Sequence, residues 1–118
     1  MKNQIQNDTQ IRKFDIYYVD LSPNIGSEQG GIRPCVIIQN DMGNKFSPTT
    51  LIAPCTTKRT KHKLPTHITF FIDGVWNCLL LEQIRSVDKQ RLCGYIGTIT
   101  NEKLQEKINK GIKISFAL

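Results

Sequence analysis

Nowhere in the chain does an uninterrupted apolar run approach membrane-spanning length, so no segment reads as a transmembrane helix. Close cysteine pairs are also missing. Cys35, Cys55, Cys78 and Cys93 are spread widely, and no histidine is placed to complete a tetrahedral zinc set with them. That excludes a disulfide scaffold and a zinc ribbon, and it predicts four small buried hydrophobes in a reducing compartment. The polar opening from Met1 to Arg12 lacks the apolar stretch of a secretory signal, so the cytoplasm is the expected location and no membrane partner is expected. There is no internal repeat and no low-complexity linker to mark a second domain. Acidic residues are in the minority: sixteen Lys and Arg stand against ten Asp and Glu, a net charge of +6 that favours a polyanionic partner such as nucleic acid or an acidic protein segment.

What remains fits one domain, because 118 residues can bury a sizeable core without metal or disulfide support. Residues 1–12 are expected as a flexible lead-in, rich in Asn and Gln and without periodicity, and 13–118 as the folded unit. Phe14 to Leu21 is rich in aromatic and β-branched residues and stops at Ser22-Pro23, which predicts a strand and a turn. Pro34 to Gln39 reads as a strand buried on both faces, closed by a turn over Asn40 to Asn44. Further strands are expected over Leu51–Thr56, Thr66–Ile72 and Cys78–Ile84, with Asp73-Gly74 turning between the last two, and a shorter one over Cys93–Ile96. From Thr100 the period changes. Thr100 as N-cap, Glu102 in the first turn and Leu104, Ile108, Ile112 and Phe116 at helical spacing predict a C-terminal amphipathic helix that covers the core, weakened locally by Gly111. Short strands with irregular loops and one helix predict a mainly β fold, a small, strongly bent sheet or barrel.

The segment Gly26-Ser27-Glu28-Gln29-Gly30-Gly31-Ile32-Arg33-Pro34 reads as a site. Its glycines allow close backbone approach to a ligand, Ser27, Glu28 and Gln29 supply hydrogen-bonding groups, and Pro34 stiffens the exit. Arg33 then presents a permanently charged planar fork suited to phosphate oxygens. Downstream, Thr57 to Lys63 holds four formal positive charges and His62 with no apolar residue, which predicts a solvated loop.

With these motifs in order, the chain resembles the MazF/PemK (Kid) family of toxin endoribonucleases. The resemblance runs from about Phe14 to the C-terminus through Asp15-Ile16-Tyr17, Asp20-Leu21-Ser22-Pro23, the glycine segment with Arg33-Pro34, Gln39-Asn40-Asp41, Phe46-Ser47-Pro48-Thr49, Leu64-Pro65-Thr66-His67, Leu81-Glu82-Gln83-Ile84-Arg85, Asp88-Lys89 and Arg91-Leu92. It implies an SH3-like β-barrel with a C-terminal α-helix, a homodimer, metal-independent and cofactor-free cleavage of single-stranded RNA, and neutralisation by an acidic MazE-like antitoxin. Carried over by position, the resemblance implies catalytic roles for Arg33 and Thr56, with Thr57 adjacent, and for Glu28 a part in positioning substrate or aiding catalysis. The chain departs from the family pattern at Phe14, where many members have Gly, and over Asp73 to Cys78, where the connection is short and Cys78 replaces a small polar residue.

RNA carries its own nucleophile in the 2′-OH, so the protein must orient the attack, stabilise charge on the phosphorane oxygens and manage two proton transfers. The general base is open between Glu28 and His67. Lys58, Arg59, Lys61 and Lys63 are expected along the RNA path, with His62 contacting RNA or solvent. Ser27, Gln29, Gly30, His67, Glu82 and Gln83 are candidates for RNA contact, and Glu82 and Gln83 read equally well as a polar strand end. Two rivals stand beside this reading: a gyrase poison of the related CcdB kind, and an RNA-binding module that does not cut.

Overall fold

A computed structural model describes residues 10–58 and 64–118. The elements run β1 (Asp15–Asp20), β2 (Ile32–Ile37), α1 (Asp41–Phe46), β3 (Thr49–Thr56), β4 (His67–Ile72), β5 (Val75–Leu80), β6 (Arg85–Asp88), β7 (Leu92–Thr98) and α2 (Glu102–Ser115). Among the described residues the seven strands form one antiparallel sheet in the order β4-β5-β3-β2-β1-β7, with β6 paired to the first half of β3. β3 is the hinge of this arrangement. Its first half lies against β6, its middle against β2, and its last two residues against β5. Register shifts in the β1–β7 ladder, between Ile16 and Tyr17 and again between Tyr18 and Val19, add bend and twist, so the sheet curls into a half-barrel. The expected mainly β architecture with a C-terminal helix is the one observed.

The curl makes two cores. Ile11, Tyr17, Val19, Leu21, Cys35, Ile37, Ile52, Val87 and Leu92 fill one. The other includes Val36, Ala53, Cys55, Ile68, Phe70, Ile72, Leu79, Leu81 and Ile108, with Leu104 and Ile112 of α2 packed against it. Ile11 therefore belongs to the core although it precedes β1. Complete burial of a side chain such as Ile108 stabilises by about 1.5–3 kcal/mol.

Several local expectations give way. The segment after Asn40 is a short helix and not a turn: the Asn40 side chain caps it by accepting from Gly43 N at 2.9 Å, using the same amide chemistry that favours turns. The strand expected over Cys78–Ile84 ends at Leu80, and Leu81–Gln83 form a 3-10 turn. β6 had no counterpart in the sequence reading. Asn101, one residue beyond Thr100, is the N-cap of α2 and accepts from Leu104 N at 2.9 Å. Phe116 falls outside the apolar stripe as the exposed C-cap. Gly111 is a close-packing residue: a Cβ there would meet Leu81 Cδ1 at 2.4 Å. Cys93 is exposed and Cys78 half-buried, so only Cys35 and Cys55 are the buried thiols expected of all four.

Candidate active site

The glycine segment is a constructed loop. Gly26 and Gly31 sit at φ +57° and +72°, and at Gly30 a Cβ would collide with the Asn24 side chain at 2.0 Å. Inside the loop, Glu28 N donates to Ile25 O at 3.1 Å and Glu28 Oε1 accepts from Ile25 N at 2.7 Å. Asn24 Nδ2 donates to Glu28 O at 3.2 Å. Distant residues hold it from outside. Gln83 Oε1 accepts from Gln29 N at 3.1 Å, and Arg91 Nη1 donates to Asp20 O and Ser22 O at 3.0 and 2.6 Å. Arg33 closes the loop, with its Nε donating to Gly30 O at 2.7 Å. That bond fixes the guanidinium plane and leaves the Nη nitrogens as the groups for a ligand.

Thr56 reaches the same place through the sheet. In the β2–β3 ladder Cys35 pairs with Pro54, Val36 with Ala53 and Ile37 with Ile52. Continuing that register two residues sets Arg33 level with Thr56 across the neighbouring strand. Thr56 is 5% exposed, and its Oγ1 accepts from Lys58 N at 3.1 Å. A hydroxyl that accepts from the backbone still has its O–H to donate.

Both residues open into one cleft of about 660 Å³, lined by Asn24, Gly26, Ser27, Glu28, Gln29 and Gly30 from the loop, by Arg33 and Thr56 from the sheet, and by Thr57 and Lys58 just beyond the end of β3. Seven of the residues singled out from sequence, Ser27, Glu28, Gln29, Gly30, Arg33, Thr56 and Lys58, thus meet in one place. His67, Glu82 and Gln83 do not line it. His67 Nε2 and Glu82 Oε2 are paired at 2.7 Å, and Thr66 Oγ1 donates to Glu82 Oε1 at 2.9 Å. Burial pushes the Glu82 carboxyl up, but bonds from His67, its own backbone and Thr66 outweigh this and hold it below its ordinary value. Gln83 acts on the cleft indirectly, through Gln29. Arg59, Lys61, His62 and Lys63 lie outside the described residues. Beneath Arg33, burial drives the Cys35 thiol up to about 12 despite the Arg33 and Arg85 charges, which leaves it a neutral packing group.

The sequence reading missed two contributors. Asn24 lines the cleft and ties down the Glu28 carbonyl, and Arg91 clamps the loop's entry. An Asn just ahead of a glycine loop is a legible signal for the first; the 71-residue separation of Arg91 from Asp20 gave none for the second.

Comparison with known proteins agrees with the geometry. Residues 12–116 match the family described as PemK-like, MazF-like toxin of type II toxin–antitoxin system. Over 115 residues the chain is 46% identical to Endoribonuclease EndoA of Bacillus subtilis, covering 92% of this chain and 96% of that protein. It is 47% identical over 113 residues to Endoribonuclease MazF of Staphylococcus saprophyticus, covering 92% of each. In fold it superposes on the crystal structure of MazF from Deinococcus radiodurans with a TM-score of 0.79 at 20% identity, covering 94% of this chain and all of that one. The curled sheet, the glycine loop closed by Arg33 and the close sequence relatives together make the chain a member of the PemK-like, MazF-like toxin family of type II toxin–antitoxin systems.

Proposed function

We propose that the chain is an endoribonuclease toxin that cuts single-stranded RNA in the Arg33–Thr56 cleft without a metal, using the RNA's own 2′-OH as nucleophile. The observation that carries this is that Arg33 and Thr56, on adjacent strands, line one cleft under a loop whose backbone is locked by its own side chains. The attack forms a bond from the 2′-oxygen to phosphorus and breaks the bond to the 5′-oxygen. It leaves a 2′,3′-cyclic phosphate, and the departing 5′-oxygen takes a proton from solvent water to end as a 5′-OH.

Arg33 takes the phosphorane's equatorial charge. Its Nη groups are fixed before substrate arrives because Nε is tied to Gly30, so little reorganisation is needed as charge develops. Thr56 donates a hydrogen bond from its hydroxyl to a phosphate oxygen, oriented by the bond it accepts from Lys58 N. Glu28 is the carboxylate of the cleft: with Oε1 on Ile25 N, Oε2 takes the 2′-OH proton. Lys58 holds the neighbouring backbone charge. His67, paired with Glu82, positions that carboxylate and takes no part in proton transfer. As the toxin of a pair, the protein works as a homodimer and is neutralised by an acidic antitoxin, a partner suited to its charge of +6.

The test is cleavage of a long RNA in EDTA, followed by sequencing of the 5′-OH ends. Arg33→Ala is expected to lower kcat by about 10³ and Thr56→Ala by about 10², by analogy with removal of a preorganised transition-state donor. Full activity in either folded variant removes that residue from the mechanism. Intact RNA alongside gyrase-dependent DNA damage refutes the nuclease assignment and favours the gyrase-poison rival.

A further inference from the structure

On the β4–β5 hairpin, Phe71 and Trp76 pair directly across the strands, each 56% exposed, with ring centroids 3.9 Å apart and planes tilted by 31°. The hairpin's other face, with Ile68, Phe70, Ile72 and Leu79, already supplies the core. Burying two outward aromatic rings therefore falls to something beyond the fold.

Register shows which surface the rings extend. Residues opposite one another in a ladder share a face, and faces alternate along each strand. Thr56 pairs with Cys78, and Cys78 with Thr69. Trp76 and Phe71 are each two residues beyond Cys78 and Thr69, so the aromatic pair lies on the face that carries Thr56, about 7 Å along the strand from Cys78. Lys58, two residues past Thr56 and lining the cleft, comes level with Trp76 when the β3–β5 register is continued. A cation for the backbone and a flat π surface for a base thus stand at the same rank, one step from the catalytic hydroxyl.

The geometry points to Phe71 and Trp76 as a base-stacking platform that receives a nucleotide of single-stranded RNA next to the scissile phosphate. This rests on the RNA-cleaving reading above and adds to it a subsite outside the loop. The platform's size favours a base over a protein. Between it and Thr56 the face presents only Thr69 and half-buried Cys78, so on this face of the hairpin the exposed apolar surface is the two rings, far less than a stable protein interface needs.

Trp76 is the chain's single tryptophan, so its fluorescence reports the platform directly. Wild-type protein is mixed with a pool of short random-sequence RNA oligonucleotides carrying 2′-O-methyl groups, which cannot react. Quenching of Trp76 is expected. In steady-state cleavage of a long RNA, Trp76→Ala is expected to raise KM by about ten-fold, the loss of one base–aromatic stack, with kcat and the cleaved sequence unchanged. Trp76→Phe, which keeps a stacking ring and guards against a folding defect, is expected to recover most of that loss. Phe71→Leu tests the second ring in the same way. No quenching and an unchanged KM in a protein that still cuts RNA overturn the platform alone. Conversion of the Trp76→Ala protein from dimer to monomer, or loss of antitoxin binding with KM unchanged, overturns it in favour of a protein contact. Failure of the wild type to cut any RNA overturns the underlying reading.

Discussion

Replacing Gly111 by alanine sets two effects of opposite sign against each other. Helix propensity favours alanine over glycine by about 1 kcal/mol in a helix interior. The new methyl, however, would lie 2.4 Å from Leu81 Cδ1 and 3.4 Å from Ile68 Cδ1, where carbon pairs prefer about 3.5–4.0 Å. Leu81 must retreat by about 1 Å, and it is 1% exposed within the core. Overpacking of this kind costs about 1–3 kcal/mol. The expected net result is a destabilisation of about 1 kcal/mol, measured by urea unfolding. In a Leu81→Ala background, itself costing about 2–5 kcal/mol, the clash is gone and Gly111→Ala should stabilise by about 1 kcal/mol. That sign reversal, a coupling of about 2 kcal/mol in a double-mutant cycle, is the diagnostic result. The strain should also reach the cleft. Leu81 opens the turn that carries Gln83, Ser115 Oγ of α2 donates to Leu81 O at 3.1 Å, and Gln83 holds Gln29 N, so kcat should fall without any change in the cleft's own residues. If Gly111→Ala stabilises the wild type by its full propensity gain, Leu81 swings aside freely and the close-packing argument is wrong.

Tyr17 Oη is the buried side-chain polar atom that lacks a hydrogen-bond partner among the described residues, and burial, then Asp15 and Tyr95, push its pKa up to about 12. Tyr17→Phe should therefore be neutral or raise stability by up to about 1 kcal/mol in urea melts, and a clear loss would reveal a partner for the hydroxyl. With a thiol reagent at neutral pH, Cys93 should react first, Cys78 slowly, and Cys35 and Cys55 only on unfolding, since burial raises the pKa of both; rapid labelling of Cys55 in folded protein would contradict its burial. The Glu82 carboxyl sits below its ordinary value of 4.5 when folded, so its stabilising contribution is present above that pH and lost as pH falls through the folded value. The melting temperature of the wild type should thus drop more steeply than that of Glu82→Gln on acidification below about pH 4.5, and parallel curves would show the His67–Glu82 pair to be energetically silent.

Sequence located the lining of the candidate cleft better than it located the element boundaries. The glycine segment and Arg33 were legible because their chemistry is contiguous: the loop residues that line the cleft lie within a few positions of one another. Thr56 was legible only by resemblance, since its place beside Arg33 comes from strand register. β6 escaped because Arg85 to Asp88 has a single buried residue, Val87, and so almost no apolar alternation to read. Leu79, Leu80 and Leu81 form one apolar run, and nothing in it marks the change from strand to 3-10 turn. The bond from Gln29 to Gln83 spans 54 residues and depends on the whole curl of the sheet. Gly111 looked like a weak point by propensity because the neighbour that requires it, Leu81, is thirty positions away.

On the mechanism proposed above, Arg33 and Thr56, carried by the adjacent strands β2 and β3, work like the fixed jaws of a caliper, with loops and hairpin tips as exchangeable fittings around them. On that reading, a change in those fittings alters which RNA word is admitted without resetting the jaws. A change that slips β2 against β3 by one step would ruin every specificity at once.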